Sequence, residues 1–154
     1  MTSRTVTLTP VTGATVRECL QSMELTFATF EEDAFIIPFR QHSVVISRDT
    51  DQPRPSEWTA HTSWNRRLNI SYMALAKNAV QGHNATSYAP LMTLVVPDDG
   101  YIYFSLSWVF GWRAGATREQ MVAEIGMLLS SVGMAFSTLN STFHDPWMED
   151  EESP

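Results

Sequence analysis

The segment that most restricts this chain is Pro97-Asp98-Asp99-Gly100 and the ten residues after it, Tyr-Ile-Tyr-Phe-Ser-Leu-Ser-Trp-Val-Phe at 101–110. The even positions, Ile102, Phe104, Leu106, Trp108 and Phe110, are all large and apolar, while Tyr101, Tyr103, Ser105 and Ser107 stand at odd positions. Side chains of a strand alternate between two faces, so this pattern predicts a long strand with one face on a core and one face wetter. Residues 97–100 read as a turn, because proline presets φ at its start and glycine tolerates positive φ at its end. The stretch Tyr88–Val96 before it then becomes the other arm of a hairpin.

A two-stranded hairpin cannot hide one apolar face alone, so further elements must cover it. Thr117 with Gln120 three residues on is a capping box, and it opens a helix over about 118–140. Met121, Ile125, Leu128, Val132, Phe136, Leu139 and Phe143 recur there at spacings of three and four, which is one apolar helix face. Met127 and Met134 fall beside that stripe, on a different side. At the other end, Val16, Cys19, Leu20 and Met23 predict an amphipathic helix over 13–24, capped by Thr12 or Thr15, with Glu18 completing a box after Thr15. Leu25–Phe30, Ala34–Phe39 and Ser43–Ser47 read as three strands with short breaks, hence an antiparallel meander, and Pro38 marks an edge or bulge. A polar loop with two prolines, 49–56, leads to a strand over Glu57–Trp64. A central helix follows around Met73–Ala79, with Asn69 as its N-cap and Gly82-His83-Asn84 as its stop. The order is helix, strands, helix, hairpin, helix. That is an α+β fold, an antiparallel sheet with helices packed on one face. Residues 1–12 read as an N-terminal arm, 13–144 as a single domain and 145–154 as an acidic tail.

Charge narrows the function. The net charge is −7, and five acids, Asp145, Glu149, Asp150, Glu151 and Glu152, lie in the last ten residues. The body is nearly balanced without them, and Arg66-Arg67 is its basic cluster. Nucleic-acid affinity depends on neutralising many phosphates, so this balance argues against nucleic-acid binding. No uninterrupted apolar run approaches the roughly 18 residues of a membrane span, so no membrane insertion is expected. Met1–Leu8 lacks the apolar core of a secretion signal and Cys19 is the one cysteine, which together predict a cytoplasmic chain without disulfides.

The chemistry-bearing residues are scattered. His42, His61, His83 and His144 form no metal-ligand spacing, so no metal is expected. Cys19 sits on the apolar side of its helix, where an inert thiol is the ordinary state. Glycines make no phosphate-cradling loop, and no cofactor is implied. Glu31-Glu32-Asp33 and Asp98-Asp99 fall in turns exposed to water, which do not separate two carboxyl pKa values for acid–base work. An enzyme would require His42 or His61 to meet a carboxylate in a cleft. More informative is the surplus of large apolar residues. Trp108, Phe110 and Trp112 cluster at the end of the best strand, and Met127 and Met134 lie off the helix stripe. These five either fill a core or form a surface for a partner or a second copy.

The order of parts also resembles a known family. The residues that carry it are the opening helix, the hairpin Phe27-Ala28-Thr29-Phe30-Glu31-Glu32-Asp33-Ala34-Phe35-Ile36-Ile37-Pro38-Phe39, the helix Met73-Ala74-Leu75-Ala76-Lys77-Asn78-Ala79-Val80, and the Asp98-Asp99-Gly100 hairpin with its long last helix. This arrangement, over about residues 14–141, resembles the bacterial YbjN family of sensory transduction regulators, which is similar in fold to type III secretion chaperones. The loop 49–56, the N-terminal arm and the acidic tail depart from the family pattern. The resemblance implies a non-enzymatic, protein-binding regulator or chaperone-like adaptor, acting as a homodimer through apolar surface, with no catalytic residues. The alternative is a domain that holds a small apolar ligand between sheet and last helix, anchored by Tyr101, Tyr103 or Arg113.

Overall fold

Seven antiparallel strands and three helices make up the computed structural model, which describes residues 8–48, 57–87 and 89–144. Helix α1 is Gly13–Ser22, and strands β1 (Ala28–Glu31), β2 (Ala34–Pro38), β3 (Ser43–Ser47) and β4 (Thr59–Ser63) follow it. The two-residue strand β5 (Leu68–Asn69) and a 3-10 turn at Ile70–Tyr72 lead into α2 (Met73–Thr86). Strands β6 (Leu91–Val95) and β7 (Tyr101–Val109) form the hairpin, and α3 is Arg118–Thr142. The proline-rich loop and the acidic tail lie outside the described residues.

Strand β7 organises the sheet. It pairs along one edge with β4, Thr59 opposite Val109 through Ser63 opposite Ser105. Further along, β5 resumes pairing with it, Leu68 opposite Ile102. The hairpin arm β6 takes the other edge, Leu91 opposite Ser107 through Val95 opposite Tyr103. Beyond β4 the order continues β3, β2, β1 as the expected meander. The register sets one inner face, because Phe35 stands opposite Ile46, Ile46 opposite Ala60, Ala60 opposite Trp108, and Leu106 opposite both Thr62 and Met92. That face meets the buried stripes of α1 (Val16, Cys19, Leu20) and α3 (Met121, Ile125, Leu128, Val132, Phe136, Leu139) in one core. The opposite sheet face keeps Ser63, His61 and Thr93 exposed and Ser105, Ser107, Tyr101 and Tyr103 half-buried.

The local signals explain most boundaries. Thr117 and Gln120 cap α3 reciprocally as the sequence predicts, Thr117 Oγ1 accepting from the Gln120 amide at 3.1 Å. At α1 the box uses Thr12 and Thr15 instead of Thr15 and Glu18, since Thr15 Oγ1 accepts from the Thr12 amide at 2.8 Å. Gly100 has φ of +80° and its amide donates to Pro97 O at 3.3 Å, the expected hairpin turn.

Four expectations change. Helix α2 does not stop at Gly82-His83-Asn84 but runs to Thr86, and Asn69 caps the preceding 3-10 turn instead of α2. The reason is tertiary: His83 and Asn84 are helical residues bonded to the start of β6. Strand β1 begins at Ala28 instead of Leu25. Asp33 is not a solvated turn acid. It is buried, and Arg48 Nη2 and Nε donate to its Oδ2 at 2.8 and 3.2 Å. In the described part of the arm, Thr9 bridges to Ala116 and Val11 is buried.

Candidate functional site

The five aromatic and methionine candidates divide. Phe110 is 1% exposed and Trp112 is 4% exposed, so both belong to the core instead of a surface. They stack with centroids 4.1 Å apart, and Trp112 continues to Trp58 at 6.5 Å. Trp108 is half-buried on the inner face. The residue that closes this corner is Glu124 on α3. Its Oε2 accepts from Trp112 Nε1 at 2.9 Å and its Oε1 from Trp108 Nε1 at 3.2 Å. A buried indole N–H needs an acceptor, and one carboxylate satisfies two of them. Trp64 repeats the device lower on the same helix, donating to Asn140 Oδ1 at 2.9 Å. Sequence reasoning missed Glu124 because a lone glutamate on a helix reads as solvated. The nearest signal was its place one residue before Ile125 on the apolar stripe.

Met127 and Met134 are the candidates that remain outside. They are 62% and 70% exposed on the outer side of α3. The helix behind them is apolar enough that an 18-residue window reaches a mean hydropathy of 1.5, the length and composition of a membrane span, which the broken apolar runs had not suggested. Its core stripe is packed on the sheet, so α3 serves here as a core helix with a second, uncharged side turned outward.

Between α2 and α3 lies a groove of about 610 Å³. Leu75, Met92, Met134, Leu139 and Phe143 supply apolar walls, and among the described residues no Asp, Glu, Lys or Arg lines it. Leu75 is 56% exposed at its rim. The floor is tied to α2 by hydrogen bonds. β6 is an edge strand, and α2 satisfies the outward groups of Met92: Asn84 Nδ2 donates to Met92 O at 2.9 Å while Met92 N donates to Asn84 Oδ1 at 2.9 Å. His83 Nε2 lies 2.8 Å from Pro90 O. Asn84 therefore holds Met92 as a neighbouring strand would, and this blunts the edge against further strand pairing.

The other candidates do not converge. His42 is held between Phe39 (4.9 Å) and Phe136 (5.1 Å), and burial pushes its imidazole pKa down. His61 is exposed on the opposite sheet face. Cys19 is buried with its Sγ 4.0 Å from Met121 Sδ, and burial pushes the thiol pKa up. Tyr101 and Tyr103 also occupy the open face instead of the space between sheet and α3. Arg67 stands 4.0 Å over the Tyr101 ring, and the Tyr103 hydroxyl donates to Asp99 Oδ2 at 2.6 Å. That bond and the Tyr101 amide hold the Asp99 carboxyl below its ordinary range. Arg113 is exposed and does not line the groove. Among the described residues no group of three or more His, Cys, Asp or Glu side chains is placed to hold a metal.

The fold and surface define an α+β domain with an open antiparallel sheet, helices on one face and a largely apolar groove between the last two helices. No family model matches the chain, and no curated protein matches it. Among solved structures it is similar to YbjN of E. coli, which is provisionally named a transcription regulator. The TM-score is 0.71 at 15% identity, over 88% of this chain and 96% of that one. The chain therefore has a YbjN-like fold.

Proposed function

We propose that the chain is a non-enzymatic, protein-binding regulator or chaperone-like adaptor, which pairs with itself and works in the cytoplasm. One observation carries this reading: Leu75, Met127 and Met134 stand exposed along and beside a groove with no formally charged side chain among the described residues that line it. Exposed apolar patches on a folded domain mark contact sites, and methionine suits surfaces that adapt to a partner. A groove between two helices fits the apolar side of a partner's amphipathic helix. The regulator name of YbjN and the shared fold support the same direction. A photo-crosslinking residue in place of Leu75 is expected to give discrete protein adducts in cells, and one in place of His61 none. Absence of protein adducts at Leu75 overturns the groove as a protein site.

The groove itself favours one second reading. A volume of about 610 Å³ falls within the range of small-molecule pockets, which are mostly apolar. In that case a small apolar ligand lies between α2 and α3, not between sheet and α3, and Tyr101, Tyr103 and Arg113 are not its anchors. Native mass spectrometry then gives a mass in excess of a whole multiple of 17.4 kDa, and Ala79→Phe abolishes the excess by filling the groove. A mass that is a whole multiple of 17.4 kDa, with nothing in excess, ends this second reading.

A further inference from the structure

The groove between α2 and α3 reaches the point where the chain leaves α3. Thr142 and Phe143 belong to its wall, and Phe143 is the C-cap of the helix. The sequence continues with His144-Asp145-Pro146-Trp147-Met148 and then the acids Glu149-Asp150-Glu151-Glu152. Pro146, three residues beyond the C-cap, is a helix stop. Trp147 and Met148 are the large apolar residues of the last ten, and they come directly before the acidic run.

Reach and chemistry both connect this pair to the groove. The four residues from Phe143 to Trp147 span up to about 13 Å. Measured back along α3 from Phe143, Ala135 is about 12 Å away. Over that length Leu139, Thr138 and Ala135 line the groove from α3, and Leu75 and Ala79 line it from α2. The tryptophans of the domain each find an acceptor for the indole N–H: Trp58 on Val11 O, Trp64 on Asn140, and Trp108 and Trp112 on Glu124. The groove offers one to Trp147 as well. Thr138 Oγ1 donates to Met134 O at 3.1 Å and keeps its lone pairs to accept from an indole. Among the described residues no carboxylate lines the groove, so the acids beside Trp147 meet no like charge there. Attachment adds to this, because a short linker holds its end at a millimolar effective concentration.

We propose that Trp147-Met148 folds back into the groove between α2 and α3, with the Trp147 ring against Leu139 and Leu75 and its N–H on Thr138, and that a partner of the groove must displace it. The docking of the tail stands apart from the proposed function, while its control over a partner rests on that reading.

NMR of the full chain tests the docking. The Trp147 indole is expected to show nuclear Overhauser contacts to the methyl groups of Leu75 and Leu139. Its N–H is expected to exchange about tenfold more slowly than in Ala79→Phe, which fills the groove. Leu75 is 56% exposed, so Leu75→Glu disturbs the fold less and is expected to free the tail as well. A Trp147 indole without contacts to either leucine, exchanging as it does in Leu75→Glu, overturns the docking. Contacts to the Trp64 ring instead place the tail on the flank of α3 where Trp64 meets Asn140, and overturn it too. Contacts found only between differently labelled chains assign the tail to a second copy and overturn the fold-back. Control over a partner is read in cells, with a photo-crosslinking residue in place of Asn78 on the groove wall. Trp147→Ala with Met148→Ala is expected to raise the yield of protein adducts there. An equal yield overturns the control while the groove remains a protein site. No adducts with or without the tail pair overturn the control and the proposed function together, and leave the docking to the NMR result.

Discussion

The aromatic corner at the end of β7 and the methionine pair on α3 are made of equally apolar residues, yet one is sealed and the other faces water. At the corner, Phe110 and Trp112 stack inside the core and both nearby indoles find the carboxylate of Glu124. On the outer side of α3, Met127 and Met134 are more than half exposed. The difference lies in what surrounds them. An indole is buried only where an acceptor meets its N–H, and Glu124 comes from the same helix that covers the ring. A thioether needs no such partner, so nothing within the chain draws the methionines inward.

Substitutions at the two regions separate these roles. The largest effect is expected from Phe110→Ala, a loss of about 3–5 kcal/mol in urea unfolding, since a fully buried ring leaves a cavity. Glu124→Leu follows with a loss of about 1–3 kcal/mol, because the buried Trp112 indole is left without an acceptor. If Glu124→Leu is neutral, the clasp is incidental to the corner. Asn84→Ala costs about 1 kcal/mol. The Met92 amide then exchanges faster with deuterium, while Thr93, which faces β7, keeps its protection.

A smaller effect depends on pH. Burial lowers the His42 pKa in the folded chain, so the unfolded chain binds the proton more readily. Its contribution is therefore complete above the ordinary histidine range and is lost as pH falls through that range. Stability at pH 7.5 is expected to exceed that at pH 5.5 by more in the native chain than in His42→Phe. Equal differences would remove His42 from the account. The smallest effect is expected from Met134→Ser, within about 0.5 kcal/mol, as for other surface positions. A larger loss in dilute monomer would place Met134 in the fold and blur the contrast with the corner.

Much of the architecture was legible from local pattern. Alternation at Ile102, Phe104 and Leu106 marked β7 and its buried side, Thr117 with Gln120 marked the start of α3, and Gly100 closed the hairpin turn. The candidate surface was only half legible. Met127 and Met134 are outside as their phase on the helix implied, but Trp112 and Phe110 are inside. Composition counts apolar residues without saying which of them meet. Asp33 misled for the same reason, since its turn looks solvated until Arg48 arrives from fifteen residues away.

What the sequence determined by itself is what neighbours in the chain decide: turns, caps, and the period that commits each strand and helix to one apolar side. The tertiary structure alone decided which strands flank β7, that Asn84 guards β6, that Glu124 holds two indoles, and that α2 and α3 stand apart by a groove. Those outcomes depend on groups far apart in sequence, whose hydrogen bonds gain strength only once packing has excluded water around them.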